Sequence, residues 1–162
     1  MGSVALAWIT SEVGRSLHEP IGWAIVALLA LRTVWGLAAN DRAARFGSFV
    51  RGPAAVLAYT RDMLRQRAPR FLGHNPLGGW MVLALMVTLA AVAATGWLMT
   101  SDAFFGGEVM EEVHEALAEG LLGLVALHVA GVVYTGWHQR ENLVRAMLSG
   151  RKRAPEPGDI DL

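Results

Sequence analysis

The stretch VHEALAEGLLGLVALHVAGVVYTGWHQREN, residues 113–142, places three histidines in what otherwise reads as a membrane helix. His114 and His128 are fourteen residues apart, close to four helical turns, so they lie nearly on one face about 21 Å apart along the axis. That face also carries Leu117, Ala118, Leu121, Val125 and Gly131. Small residues at Ala118, Gly120, Gly123 and Gly131 leave room beside the imidazoles.

The rest of the chain has the same character. Of 162 residues, 54% are hydrophobic and only 17% charged, too apolar for an ordinary soluble domain of this length. Residues 20–38, PIGWAIVALLALRTVWGLA, form one apolar run with a single charge, Arg32. Residues 79–100, GWMVLALMVTLAAVAATGWLMT, form a second with none, and 116–137 a third with Glu119 near its start. Each is about 20 residues long, the length that spans a ~30 Å hydrocarbon core as a helix. VALAWIT, residues 4–10, is too short to span and lacks the basic start and cleavage-like end of a signal peptide. There is no cysteine, which excludes disulfides, thiolate metal sites, iron–sulfur ligation and covalent c-type haem attachment.

Formal net charge is zero, but the charges are segregated. The linker 39–78 holds Arg42, Arg45, Arg51, Arg61, Arg65, Arg67 and Arg70, and the C-terminal end holds Arg140, Arg145, Arg151, Lys152 and Arg153. The other side has Arg15 against Glu12, Glu19, Asp102, Glu108, Glu111 and Glu112. The positive-inside rule puts linker and tail in the cytoplasm. Trp8, Trp23 and Trp97 then fall toward the outer boundary and Trp35, Trp80 and Trp137 toward the inner one, an aromatic belt. Pro53 can open a helix, and Val56, Leu57, Tyr59, Met63 and Leu64 interleave with Arg61 and Arg65, so 53–66 reads as an amphipathic helix on the inner membrane surface. LGHNPLGG, residues 72–79, is turn chemistry leading into the next span.

His18 sits at the outer end of the first full span, level with His114, and Gly22 one turn further on removes a side chain where a flat ring can lie. Two imidazoles from facing helices at one depth suit a bis-histidine b haem, and a histidine about 21 Å deeper suits a second. The plainer reading is that a membrane histidine is an interhelical hydrogen bonder, or is solvated near the interface. His128 resists it, because an ionisable group at depth is a functional candidate by default. Arg32, fourteen residues after His18, pairs with haem propionates or a quinone headgroup, or else snorkels to the interface. A zinc-protease helix is excluded, since position 118 after His114-Glu115 is alanine. His74 and His138 read as solvated surface histidines.

The stretches AWITSE (7–12), LHEPIGWAIVALLALRTVWGL (17–37), ARFGSFVRGPAAVLAYTRDML (44–64), LGHNPLGGWMVLALMV (72–87), TGWLM (95–99), HEALAEGLLGLVALHVAGV (114–132) and HQRENLVRAMLSGRKR (138–153) together resemble the bacterial cytochrome b561 superfamily. The likeness is to the branch that includes the cytochrome b subunit of nickel–iron hydrogenases. It covers nearly the whole chain, and its specific parts are the GHNP-x-GG turn and the HQRENLVRAM end.

The resemblance implies an all-α integral membrane bundle of the four-helix dihaem type. Mapped onto this chain, it has three full spans at about 18–38, 79–100 and 113–137, a partial first helix at about 3–11, and the cytoplasmic linker 39–78. These make one domain over 1–150, followed by a cytoplasmic tail at 151–162. It implies haem b, one or two, with His18 and His114 on the outer haem and His128 on the inner haem opposite a first-helix histidine. That first-helix histidine precedes the AWITSE piece in relatives, whereas Met1 here is seven residues before Trp8. The expectation is an N-terminally shortened chain with a mis-assigned start, since residues 4–10 are half a membrane helix and would end their backbone in hydrocarbon. Truncation and absence of the inner haem are the other readings.

The expected function is electron transfer between the quinone pool and a periplasmic c-type cytochrome or hydrogenase, within the bacterial inner membrane. The chain is expected to be multi-pass with a cytoplasmic C-terminus. No nucleic-acid partner is expected. The acidic outer stretch 101–112 favours a basic partner. It also repels superoxide, which disfavours the superoxide:quinone oxidoreductase activity found in the superfamily. A haem-free membrane anchor is the alternative from another functional class.

Overall fold

A computed structural model describes residue 5 and residues 7–9, 15–40, 44–149, 153–154, 156 and 158–160. Arg42, Arg151 and Lys152, which bear on the charge asymmetry, and most of the expected partial helix at 3–11 lie outside the described residues; residues 5 and 7–9 are helical. The regular elements are helices: α1 Arg15–Ala38, α2 Phe46–Phe49, α3 Pro53–Leu64, α4 Pro76–Leu98, α5 Glu108–His138 and α6 Leu143–Ser149. Among the described residues no strand forms, and an isolated parallel bridge joins Phe71 to Ile160.

Three stretches are long and apolar enough to cross a membrane, Ser16–Ala38, Pro76–Leu98 and Glu108–His138, as the hydropathy reading requires. Their apolar side chains mostly face outward: Leu28, Leu31, Val34, Val87, Leu127 and Val133 are all more than half exposed. In water such a surface would be unsustainable; facing lipid it is the ordinary state. All six tryptophans are exposed as well.

The boundaries move for local reasons. α4 starts three residues before the expected 79, because Asn75 Oδ1 accepts from Gly78 N–H at 2.7 Å and Pro76 occupies the first helical position. α5 starts at Glu108 rather than 113, with Glu108 and Glu111 in the first turn, where carboxylates complement the helix dipole. The linker helix appears at α3, with Pro53 at its first turn as expected.

The chain divides into two compact units. The first comprises Met1–Val34 and Ala84–Val125, with Ile25 and Leu121 buried.

The second comprises Trp35–Leu83 and Ala126–Leu162. Phe49, 0% exposed, is its centre, with Phe46 at 5.8 Å and the His74 ring at 4.6 Å. Tyr59 packs on Phe71 at 5.5 Å. Burial raises the Tyr59 hydroxyl above its ordinary value, the Tyr134 hydroxyl adds to this, and a hydrogen bond with Asn75 opposes it. Trp80 Nε1 donates to the Arg51 carbonyl at 2.8 Å.

Two helices of this unit end in the same device. At the end of α5, Arg140 takes the left-handed conformation at φ 50°, Glu141 N–H donates to the Gly136 carbonyl and Arg140 N–H to the Trp137 carbonyl. At the end of α3, Gln66 at φ 56° does the same, with Arg67 N–H on the Asp62 carbonyl and Gln66 N–H on the Met63 carbonyl. Both are Schellman caps without the usual glycine.

The α5 cap turns Glu141 onto the buried Arg70. The Arg70 guanidinium pairs with Glu141 at 3.1 Å and with Asp159, and donates to the Arg153 carbonyl at 3.2 Å. Glu141 also accepts from Arg153 N–H at 2.9 Å. The described tail residues are thereby tied to the linker, and Asn142 caps α6 by accepting from Arg145 N–H at 2.8 Å.

The Asp159 carboxylate is held below its ordinary value of 3.8, first by the Glu156 N–H, with burial opposing and Arg70 and Arg153 assisting. A carboxylate depressed in the fold stabilises it fully above the ordinary value and loses that contribution as pH falls through the folded value. Asp159→Asn should therefore lower the thermal midpoint by a few degrees near neutrality. The difference from the parent should close as pH falls below about 4. A pH-independent gap would show that the carboxylate charge is not what ties the tail.

Candidate functional site

In the first unit, His18 on α1 and His114 on α5 are brought together. Their ring centroids are 6.3 Å apart and their planes are at 85°. His18 Nδ1 lies 3.0 Å from the Ala7 carbonyl oxygen. A carbonyl only accepts, so Nδ1 carries the proton and Nε2 keeps its lone pair.

His114 is arranged the same way through a different acceptor. Thr95 Oγ1 on α4 lies 2.9 Å from His114 Nδ1, 3.0 Å from the Ala91 carbonyl and 2.9 Å from the Val92 carbonyl. The hydroxyl has one proton, and the two helix carbonyls can only accept it. With that proton on a helix carbonyl, the Oγ1 lone pairs accept from His114 Nδ1–H, the tautomer that leaves Nε2 unprotonated. The Nε2 lone pair of His114 is left for a ligand.

The pair would suit two ligands to one shared metal. Two imidazoles that each place a nitrogen about 2 Å from a shared ion stand a little over 6 Å apart, about the observed separation. Among the described residues no group of three or more His, Asp or Glu gathers around a common point. Two imidazoles are short of a protein-only tetrahedral set. They suit an iron whose porphyrin supplies the remaining nitrogens.

A Cβ placed at Gly22, one turn after His18, would meet nothing within 4 Å. Gly96 differs: a Cβ there would lie 3.1 Å from His114 Cε1, so the ring is seated directly against the α4 backbone.

Thr95 and Gly96 lie in the TGWLM stretch, but nothing in the sequence marked them as site residues. The signal was a hydroxyl beside a glycine in an uncharged span, which composition and periodicity do not distinguish from ordinary packing.

The other candidates are not gathered at this pair. Arg32 is half-buried on α1. His128 is half-buried on α5, and among the described residues the structure pairs it with no other histidine. His74 packs on Phe49, and His138 stacks on Tyr134 at 6.0 Å with planes 3° apart. Asp102, Glu108, Glu111 and Glu112 are exposed in the first unit, next to exposed Phe104 and Phe105.

Comparison with known families finds a match to the model for prokaryotic cytochrome b561 over residues 1–150. No curated protein and no solved structure matches the chain.

Proposed function

The chain belongs to the prokaryotic cytochrome b561 family, and on that premise we propose that it passes electrons between the quinone pool and a periplasmic redox partner in the bacterial inner membrane. The family makes it a multi-pass membrane cytochrome of the b type, with haem b as its cofactor. Haem b supplies one-electron redox chemistry when bound. The protein supplies ligands, depth and dielectric.

The observation that carries this reading is the 6.3 Å separation of His18 and His114, each with Nδ1 engaged and Nε2 available. These two residues would hold the iron of the outer haem, and Gly22 leaves open space one turn from His18. His128 is assigned to a second, deeper haem, for which the described residues supply one ligand. Arg32, the single charge within residues 20–38, neutralises a propionate or binds a quinone headgroup.

The partner is a c-type cytochrome or a hydrogenase subunit with a basic docking face. The exposed carboxylates at 102–112 favour such a face through charge complementarity. The arginine-rich linker and C-terminal end support a cytoplasmic C-terminus.

The test is a reduced-minus-oxidised spectrum of the purified protein with haem quantified per chain, followed by addition of a soluble quinol. A low-spin b-type band that the quinol reduces is expected. A protein that takes up no haem would be an anchor instead, and a haem inert to quinol would remove the quinone from the scheme.

A further inference from the structure

We propose that Thr95 is the positioning residue for His114: its hydroxyl accepts the Nδ1 proton and thereby sets the tautomer, the ring plane and the basicity of that ligand. This rests on His114 being an iron ligand.

Three observations meet at the Thr95–Gly96 step of α4. Oγ1 stands 2.9 Å from His114 Nδ1. The hydroxyl proton is directed backward along α4 to the Ala91 and Val92 carbonyls, which turns the oxygen lone pairs toward the ring. The missing side chain at Gly96 lets the ring lie against the helix, where a methyl group would stand 3.1 Å from Cε1. A hydrogen bond from the non-ligating nitrogen of a metal-bound histidine fixes its orientation and raises its basicity.

The two ligands differ in how they are held. His18 donates to a backbone carbonyl, that of Ala7, which no substitution at position 7 removes. His114 donates to a side chain. Thr95 is therefore the point at which a single substitution can tune this site without touching either ligand.

The test compares Thr95→Val, which keeps the shape and removes the hydroxyl, with Thr95→Ser, which restores it. In the haem-loaded protein, Thr95→Val should shift the midpoint potential of the His18–His114 haem to a more positive value, because a less basic ligand stabilises the ferric state less. Haem should be retained about 10- to 100-fold less tightly, the usual cost of losing such a partner. Thr95→Ser should return both quantities toward the parent.

In haem-free protein, nitrogen NMR of labelled histidine should find the His114 proton on Nδ1 in the parent and in Thr95→Ser. In Thr95→Val that preference should be lost. Thr95→Val with parental potential and parental tautomer overturns the proposal, as does Thr95→Ser behaving like Thr95→Val. If His114→Ala keeps the full low-spin spectrum, the ligand reading fails instead, and the tautomer comparison still decides the role of the hydroxyl.

Discussion

His114→Ala abolishes the low-spin b haem at the outer site, and His18→Ala abolishes the same one. The structure brings these two rings to 6.3 Å with Nδ1 of each beside an acceptor, and among the described residues no other histidine stands beside them, so the proposed site needs both imidazoles. Each single variant would leave one imidazole to hold the haem, which should then be lost or no longer give a low-spin spectrum. The expected change is one low-spin haem per chain, read from the haem-to-protein ratio and a low-temperature spectrum. Insertion and helix content should stay parental, because an alanine in either helix removes no packing centre. His128→Ala, outside this pair, should leave that band intact. A full low-spin spectrum in both single variants would break the pairing.

The largest expected structural effect comes from Gly79→Ala. A Cβ at that position would lie 2.5 Å from the Phe49 carbonyl oxygen and 3.3 Å from its ring. The obstructing atom is backbone, and Phe49 is fully buried, so neither partner can step aside cheaply. Forcing a methyl group into such a contact costs about 1–3 kcal/mol, and the upper end applies here. The thermal midpoint in detergent should fall by several degrees. Gly47→Ala, where a Cβ meets nothing within 4 Å, is the control and should be nearly neutral. Equal midpoints for the two variants would mean that the close approach of residues 49 and 79 is not required. This contact accounts for the second glycine of the GHNP-x-GG turn. The asparagine caps α4, the proline opens it, the histidine packs on Phe49, and Gly79 admits the Phe49 backbone.

Much of this architecture was legible from residue order alone, because a bilayer imposes a one-dimensional rule. Spans of about 20 apolar residues declare themselves through hydropathy. Pro53 announced α3, and the fourteen-residue interval from His114 to His128 placed both on one helical face without reference to any other part of the chain. His18 was found because it shares a depth with His114, a property that span boundaries also encode.

What the sequence did not carry lies in contacts between residues far apart along it. Thr95 is nineteen positions from His114, and its hydroxyl looks like any other in an apolar helix until α4 is packed beside the imidazole. Arg70 read as one more cytoplasmic charge, yet it is buried between Glu141 and Asp159, 71 and 89 positions away. The helix ends at Gln66 and Arg140 were invisible for a local reason: the left-handed cap usually announces itself by glycine, and here ordinary side chains take that conformation. Hydropathy and periodicity thus determined the three long apolar helices and the linker helix, and which helical face bears His114 and His128. Only tertiary packing decided which group stands beside each imidazole and so which nitrogen it presents, because a tautomer depends on the acceptor that the fold brings to the ring.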